Sequence, residues 1–275
     1  MTSSRPEYVL GADERERLRL RHQHQVWRGL SDRLFSSLGV NEGWKVLDAG
    51  CGPGLVLEDL RRLVGVRGEA WGVDLTPDLL EEAGARVEEH GWKNVRLIEG
   101  DLETLDLPRA YFDLIWMRWV LSFPPRPADI LEHLIPSLKP GGCLAVMDYN
   151  HDGVGLFPES RGFQAAIRAT RKLYLQSGGD PWIGARLPAL FREAGLDLVQ
   201  YDAHARTGGP GQPVFEWASN FFPDIVEKFT GQGLMSPEER DLFHEDWQAR
   251  RSDPDSRFFS PIIVVAVGRR PQEAP

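Results

Sequence analysis

Apolar positions recur along the chain in two periods, and the two alternate. Residues 12–38 place Leu18, Leu20, Val26, Trp27, Leu30 and Leu34 at helical spacing, with Asp13 as a candidate N-cap. Short apolar runs follow at 45–50 (KVLDAG), 69–75 (EAWGVDL), 94–101 (NVRLIEGD), 112–120 (FDLIWMRWV), 143–149 (CLAVMDY), 196–205 (LDLVQYDAHA) and 260–268 (SPIIVVAVG). They are predicted as strands. Between them the helical period returns, at 54–64, 76–91, 128–138 and 184–195. Thr76 is placed as an N-cap, Pro77 at the first helical position and Gly91 as the stop. Strands alternating with helices of this length imply right-handed crossovers and a largely parallel α/β sheet.

Two blocks break the alternation. Residues 159–178 follow the fifth strand, and residues 236–251 lie between the sixth and the seventh. In the second block Ser236 and Glu239 are spaced as a capping box, with Pro237 at the first helical position. Both blocks are rich in aromatic residues and neither extends the sheet, so they are predicted as a lid over it. Trp119 on strand four, with Trp182, Trp217 and Phe222 in or beside the lid blocks, are the candidates for lining a pocket for an apolar or aromatic acceptor. Most of the other aromatics are expected in the core.

Composition narrows the classes. Two cysteines in 275 residues, Cys51 and Cys143, argue against a disulfide scaffold and a cysteine zinc site. The longest apolar run, IIVVAV at 262–267, is too short to span a bilayer. MTSSRPEYVL at the start lacks the apolar core of a secretory signal, which makes the cytoplasm the default expectation. A net charge of −9 disfavours a general nucleic-acid binder. The one basic stretch, RERLRLRHQHQVWR at 15–28, reads as a solvated helix face.

The chemistry concentrates at strand ends. VLDAGCGPG at 46–54 carries Gly50, Gly52 and Gly54 directly after the first strand. In an open parallel sheet that is the carboxyl edge where ligands bind. Glycines there let the backbone approach a ligand, and the helix that follows directs N–H groups at the same place. The spacing is G-x-G-x-G, with Leu55 where a dinucleotide loop has its third glycine, and no Lys-Ser or Lys-Thr follows. The loop therefore suits a nucleoside without a pyrophosphate, which sets aside a nicotinamide-dependent dehydrogenase. Asp74 ends the second strand twenty residues after Gly54, where a carboxylate can accept from both ribose hydroxyls. Asp101 ends the third and can hold an adenine amino group, with the Leu102 amide reaching a ring nitrogen. A lone acid at a strand end is usually a turn residue, so the weight lies in the ordered set.

That set, VLDAGCGPG, GVDLTPDLL, EGDLETLDLP, FDLIWMRWVLSF and LKPGGCLAVMD, resembles the ordered motifs of class I S-adenosylmethionine-dependent methyltransferases over about 43–150. The flanks YVLGADERERLRLRHQHQVW and WIGARLPALFREAGL resemble bacterial small-molecule members related to the ubiquinone/menaquinone-biosynthesis group. The resemblance implies a Rossmann-like seven-stranded sheet in order 3-2-1-4-5-7-6, strand seven antiparallel, with helices on both faces and a helical lid. It implies a helical segment at 1–42 covering the cofactor, a cofactor-binding core at 43–150, lid and acceptor-pocket insertions at 151–183 and 206–257, and the rest of the sheet at 184–205 and 258–275. S-adenosyl-L-methionine is the implied cofactor and S-adenosyl-L-homocysteine its product. Asp48 would support the loop, Gly50 and Gly52 would face the methionine part, and Cys51 and Gly54 would complete the wall. Leu75 would flank the adenine, Arg118 would meet the methionine part through its backbone, and Tyr8 and Gln25 would close over the cofactor.

Methyl transfer from a sulfonium is an in-line displacement, so the protein needs chiefly to align the acceptor and take a proton. His151, just past strand five, with Tyr149 and Asp148 beside it, are the candidate bases. The mobility of loop residues favours a solvated loop histidine as the reading of His151. Asp148, Asn150 and Asp152 suggest a hard cation, but the resemblance to metal-dependent catechol-type enzymes would need a second acid after strand four, and MRWVLSF has none. No metal is expected. The expected partner is a small-molecule acceptor methylated at O, N or C, with no nucleic acid or membrane, and the protein a monomer or homodimer. An RNA methyltransferase, or a cofactor-binding protein without turnover, are the alternatives.

Overall fold

Continuous apolar strands need cover on both faces, and the chain supplies it. The structure is a computed structural model and describes residues 14–272; Tyr8 and Asp13 lie outside the described residues. Helix α1 (Glu14–Ser37) leads into β1 (Lys45–Ala49), α2 (Leu55–Val64), β2 (Glu69–Asp74), α3 (Pro77–Glu89), β3 (Val95–Glu99) and β4 (Phe112–Arg118). Then come α4 (Pro127–Leu134), β5 (Leu138–Asn150), β6 (Gly155–Phe157), α5 (Arg161–Gln176), α6 (Ile183–Glu193) and β7 (Asp197–His204). The chain ends through β8 (Thr207–Gly208), α7 (Pro213–Ser219), α8 (Phe222–Gly231), α9 (Pro237–Ser252), β9 (Arg257–Phe259) and β10 (Ile262–Arg269).

The main sheet has seven strands in order β3-β2-β1-β4-β5-β10-β7. Only β10 is antiparallel, to β5 on one side and β7 on the other. Counted within this sheet the order is the 3-2-1-4-5-7-6 expected from the resemblance. Alternation along the strands divides the core in two. Val46, Trp116, Ala145 and Met147 pack with α1, α2 and the lid, whereas Leu47, Ile115, Leu144 and Val146 pack with α4 and α6. The same alternation sends Asp48, Arg118 and Tyr149 toward α1 and the lid, and Asp148 to the opposite face.

Three features depart from the sequence expectations. β5 begins five residues before Cys143, because Pro140-Gly141-Gly142 is absorbed as a break in register between Phe112↔Leu138 and Leu114↔Cys143. The helix expected at 128–138 stops at Leu134, and a 3₁₀ turn around Pro136 carries the chain into β5. The lid carries a second sheet, β6-β9-β8. The capping box at Ser236 and Glu239 forms with both bonds, at 3.1 and 3.2 Å. Thr76 takes the N-cap position without a side-chain bond, and its amide donates to Asp74 Oδ1 at 2.9 Å.

The lid is packed by aromatic rings. Trp247 stacks on Phe215 and on Phe243 at 5.4 and 5.7 Å between centroids, and Phe163 meets Phe222 edge-on at 4.9 Å. These rings belong to the same buried cluster as Trp27 and Trp116, so the lid is continuous with the α1 face of the sheet. No described helix is long and apolar enough to cross a membrane.

Candidate active site

The glycine loop leaves β1 and turns back on β2. Gly50 and Cys51 both donate to Val73 O, at 2.8 and 2.9 Å, and Gly54 donates to Cys51 O at 3.0 Å. Gly52 donates to Asp74 Oδ2 at 2.7 Å. These loop amides are therefore engaged within the protein, and the loop offers shape rather than a nest of donors. Gly50 holds φ +80°, and a Cβ there would collide with Val120 Cγ2. Cys51 contributes backbone only: its buried thiol lies against Gly72, where a Cβ would come within 2.9 Å of Sγ. Burial pushes that thiol well above its usual pKa, so it is inert.

Asp48 sits beneath the loop, 2 % exposed, with Oδ2 lacking a partner. Burial pushes its carboxyl up to about 7; nearby Asp74 adds to the shift and Arg118 opposes it. Arg118, at the end of β4, projects its side chain onto the same face, where the resemblance implied a role for its backbone. Its Nη1 lies 3.3 Å from His24 Nδ1 and its Cζ 4.7 Å over the Trp119 ring. Burial lowers its pKa to about 10. Trp119 is held in the left-handed region at φ +56°, its amide donating to Met147 O at 2.9 Å. Such a residue persists only where its surroundings over-determine it, and these cluster at functional sites. Its ring stacks on Tyr149 at 5.6 Å. Further along the edge, Leu75 follows Asp74, Asp101 Oδ1 accepts the Glu103 amide at 2.9 Å, and Leu102 is buried.

Beside this edge, under the lid, lies an open-mouthed cavity. Trp217, Phe222, Phe258, Tyr174 and Ile167 form its apolar wall, and Tyr149, His151, Thr170 and Arg19 supply the polar groups. His151 is 7 % exposed, which settles it as a wall of the cavity rather than a solvated loop residue. Its amide donates to Pro181 O at 3.0 Å and its carbonyl accepts from Arg171 Nη2 at 2.6 Å. Its ring lies edge-on to Tyr149 and Tyr174, and Nδ1 has no partner. Burial, with the Arg171 charge adding, lowers its pKa to about 4. The imidazole is neutral at neutral pH. Asp148, the third candidate base, faces away: its carboxylate accepts the amides of Leu121, Ser122 and Tyr149 at 3.0, 3.3 and 2.8 Å. It pins the turn after β4.

Two sequence-based assignments fall outside this arrangement. Gln25 lies on the exposed side of α1. Helical phase brings Gln23 and His24 inward instead, beside the buried Val26, Trp27 and Leu30. Trp182 is the residue before α6; its Nε1 donates to Asp152 Oδ1 at 2.9 Å and Arg171 lies over its ring, so it braces the loop behind His151. The 15–28 stretch is likewise divided: Arg19, Gln23 and His24 are buried, while Arg21 reaches Glu82 on the surface. Gln23 Oε1 accepts from Trp217 Nε1 at 3.4 Å and from Arg19, and Gln23 Nε2 lies 3.5 Å from the Tyr149 hydroxyl. Sequence reading missed Arg19, Gln23, His24 and Tyr174. The signal for the first three was polar residues in phase with the apolar stripe of α1.

Residues 46–142 match a family model described as a methyltransferase domain. The demethylmenaquinone methyltransferase of Lactococcus lactis is 26% identical over 196 residues, covering 66% of this chain and 76% of that one. Among solved structures, a Bacillus halodurans protein assigned as a methyltransferase superposes with a TM-score of 0.61 at 22% identity, over 88% of this chain and 98% of the other. An Aquifex aeolicus S-adenosylmethionine-dependent methyltransferase does so with a TM-score of 0.50 at 22% identity, over 62% and 81%. With the sheet order and the glycine loop at the carboxyl edge of β1, these likenesses support a class I S-adenosylmethionine-dependent methyltransferase related to the demethylmenaquinone methyltransferases.

Proposed function

We propose that the enzyme methylates a small, flat, apolar or aromatic acceptor held in the lid cavity, with His151 taking a proton from it. The observation that carries this reading is the buried, unpartnered His151 Nδ1 in an aromatic-walled cavity on the sheet face that also presents Asp48 and Arg118. A quinone-like ring, such as the one named for the Lactococcus relative, has the right shape and polarity.

The site suits S-adenosylmethionine. Asp48 offers a buried carboxylate oxygen without a partner, and Asp74 retains lone pairs beyond those that accept from Gly52 and Thr76. When bound, the cofactor supplies a methyl group already activated on a sulfonium. In this reading Asp74 and Leu75 take the ribose side, Asp101 and Leu102 the adenine edge, and Gly50, Gly52 and Gly54 the remainder of the wall. Tyr149 and Trp119 form a stacked partition beside the acceptor. Trp217 and Phe222 give the cavity an apolar wall suited to a ring-shaped acceptor. His151, clamped through its own backbone, would accept at Nδ1 the proton of an acceptor hydroxyl whose oxygen takes the methyl group, the neutral thioether S-adenosylhomocysteine being the leaving group.

The test is methyl transfer from labelled S-adenosylmethionine to a panel of hydroxylated naphthalenes and phenols, with homocysteine-product binding measured by calorimetry. We expect turnover of at least one such acceptor, and His151→Ala to lower kcat by about 10²- to 10⁴-fold with product binding unchanged. The His151 pKa of about 4 requires kcat to show no histidine limb down to about pH 5. Tight cofactor binding with no acceptor turned over, or full turnover in His151→Ala, would refute the proposal.

A further inference from the structure

We propose that the Arg118 side chain, positioned by His24 and through it by Asp59, receives the carboxylate at the amino-acid end of the cofactor. The inference rests on the reading above, in which the glycine loop is the cofactor's seat.

Arg118 carries a half-buried charge. Among the described residues no carboxylate oxygen lies within 4.0 Å of its guanidinium. Its close contacts are the His24 ring and the Trp119 face. A guanidinium donates and never accepts, so His24 Nδ1 must be the acceptor of the 3.3 Å contact. The ring proton is then on Nε2, which lies 3.4 Å from Asp59 Oδ2. Asp59 is itself buried on α2, one turn past the glycine loop, and pairs with Arg28 and Arg62. The result is a line from α2 through α1 to the end of β4 that fixes the imidazole tautomer and aims the guanidinium. The Trp119 ring sets its plane.

The chemistry favours a single carboxylate over a phosphate. One guanidinium matches one carboxylate bidentately. Asp48 and Asp74 stand nearby and would repel a dianion, and the loop amides that would cradle a phosphate are bonded inside the protein.

The experiment compares calorimetric affinities for S-adenosylhomocysteine and its decarboxylated counterpart, 5′-deoxy-5′-(3-aminopropylthio)adenosine. The wild type should prefer the carboxylate-bearing ligand by roughly 10- to 100-fold. Arg118→Met should erase that preference while leaving the decarboxylated ligand bound within about twofold, which also reports that the variant is folded. If Arg118→Met does not fold, Arg118→Lys takes its place and should lower the preference to an intermediate value. His24→Asn, which puts an amide oxygen near the Nδ1 position, should keep most of the preference, and His24→Leu should lose it. Equal weakening of both ligands in the Arg118 variant, or an unchanged ratio, overturns the assignment. Failure of the wild type to bind either ligand would overturn the glycine-loop reading beneath it.

Discussion

Gly50→Ala tests how the loop is built, because two separable costs meet at that position. The first is conformational: Gly50 holds φ +80°, where a non-glycine residue costs about 1–3 kcal/mol. The second is steric: the new Cβ would collide with Val120 Cγ2, whereas Val120 Cβ lies at an ordinary 3.5 Å. Overpacking of this kind costs about 1–3 kcal/mol. The single variant should therefore lose about 2–6 kcal/mol in urea unfolding at constant m. Val120 is half-buried, so Val120→Ala alone should cost about 1 kcal/mol. In Gly50→Ala/Val120→Ala the collision disappears and the φ cost remains. The double variant should then be more stable than the sum of the singles predicts by about 1–3 kcal/mol. Additivity within about 0.5 kcal/mol would show that Val120 does not press on the loop, and the steric half of the reasoning would fall.

Trp217→Phe removes the donor to Gln23 Oε1 at 3.4 Å and should raise the acceptor KM about 3- to 10-fold, whereas Trp182→Phe should leave it within about twofold. Equal effects in steady-state assays would contradict the placement of Trp182 outside the cavity. Asp48, at about 7 in the fold against 3.8 unfolded, takes up a proton on folding between those values. Its favourable contribution is complete below about pH 4 and lost as pH rises through 7, so Asp48→Asn should gain stability relative to wild type over that window, by on the order of 4 kcal/mol at most. Thermal melts of the two proteins from pH 4 to 8 check this, and parallel curves would refute it. Ionised Asp48 should also favour the cationic cofactor, so wild-type affinity for S-adenosylmethionine should rise from pH 6 to 8 and that of Asp48→Asn should not.

Strand ends were legible because burial on both faces leaves apolar centres in the strands, VL in β1, LIWM in β4 and CLAVM in β5, while the glycine loop follows β1 and Asp74 closes β2. The carboxyl-edge acids needed nothing more than strand order. Period-2 alternation could have separated Asp148 from Tyr149, since neighbours on a strand face opposite ways. α1 was harder. Its polar residues Arg19, Gln23 and His24 fall in phase with Val26, Trp27 and Leu30, but charge density hid a stripe that is buried yet polar. The small lid sheet has strands of two and three residues, too short to show a period. Pro140-Gly141-Gly142 reads as a turn, and only pairing with β4 turns it into an irregular stretch of strand.

The polar stripe on α1 links the two halves of the site. Gln23 bonds to Trp217 and Arg19 at the cavity, and its immediate neighbour His24 bonds to Arg118 and Asp59 at the cofactor edge. Neighbours on a helix are about 100° apart, so one helix seated at one angle serves both. The seat is chiefly apolar: Val26, Trp27, Leu30, Leu34 and Phe35 are buried, each contributing about 1.5–3 kcal/mol on burial. The pair from Arg21 to Glu82 lies at the surface, where such contacts contribute about 0–1 kcal/mol. The same hydrophobic docking therefore sets the position of Gln23 behind Trp217 and Arg19 and of His24 behind Arg118. On the proposed reading a shift of α1 cannot disturb one pocket and spare the other, which makes the two binding events share a single structural element.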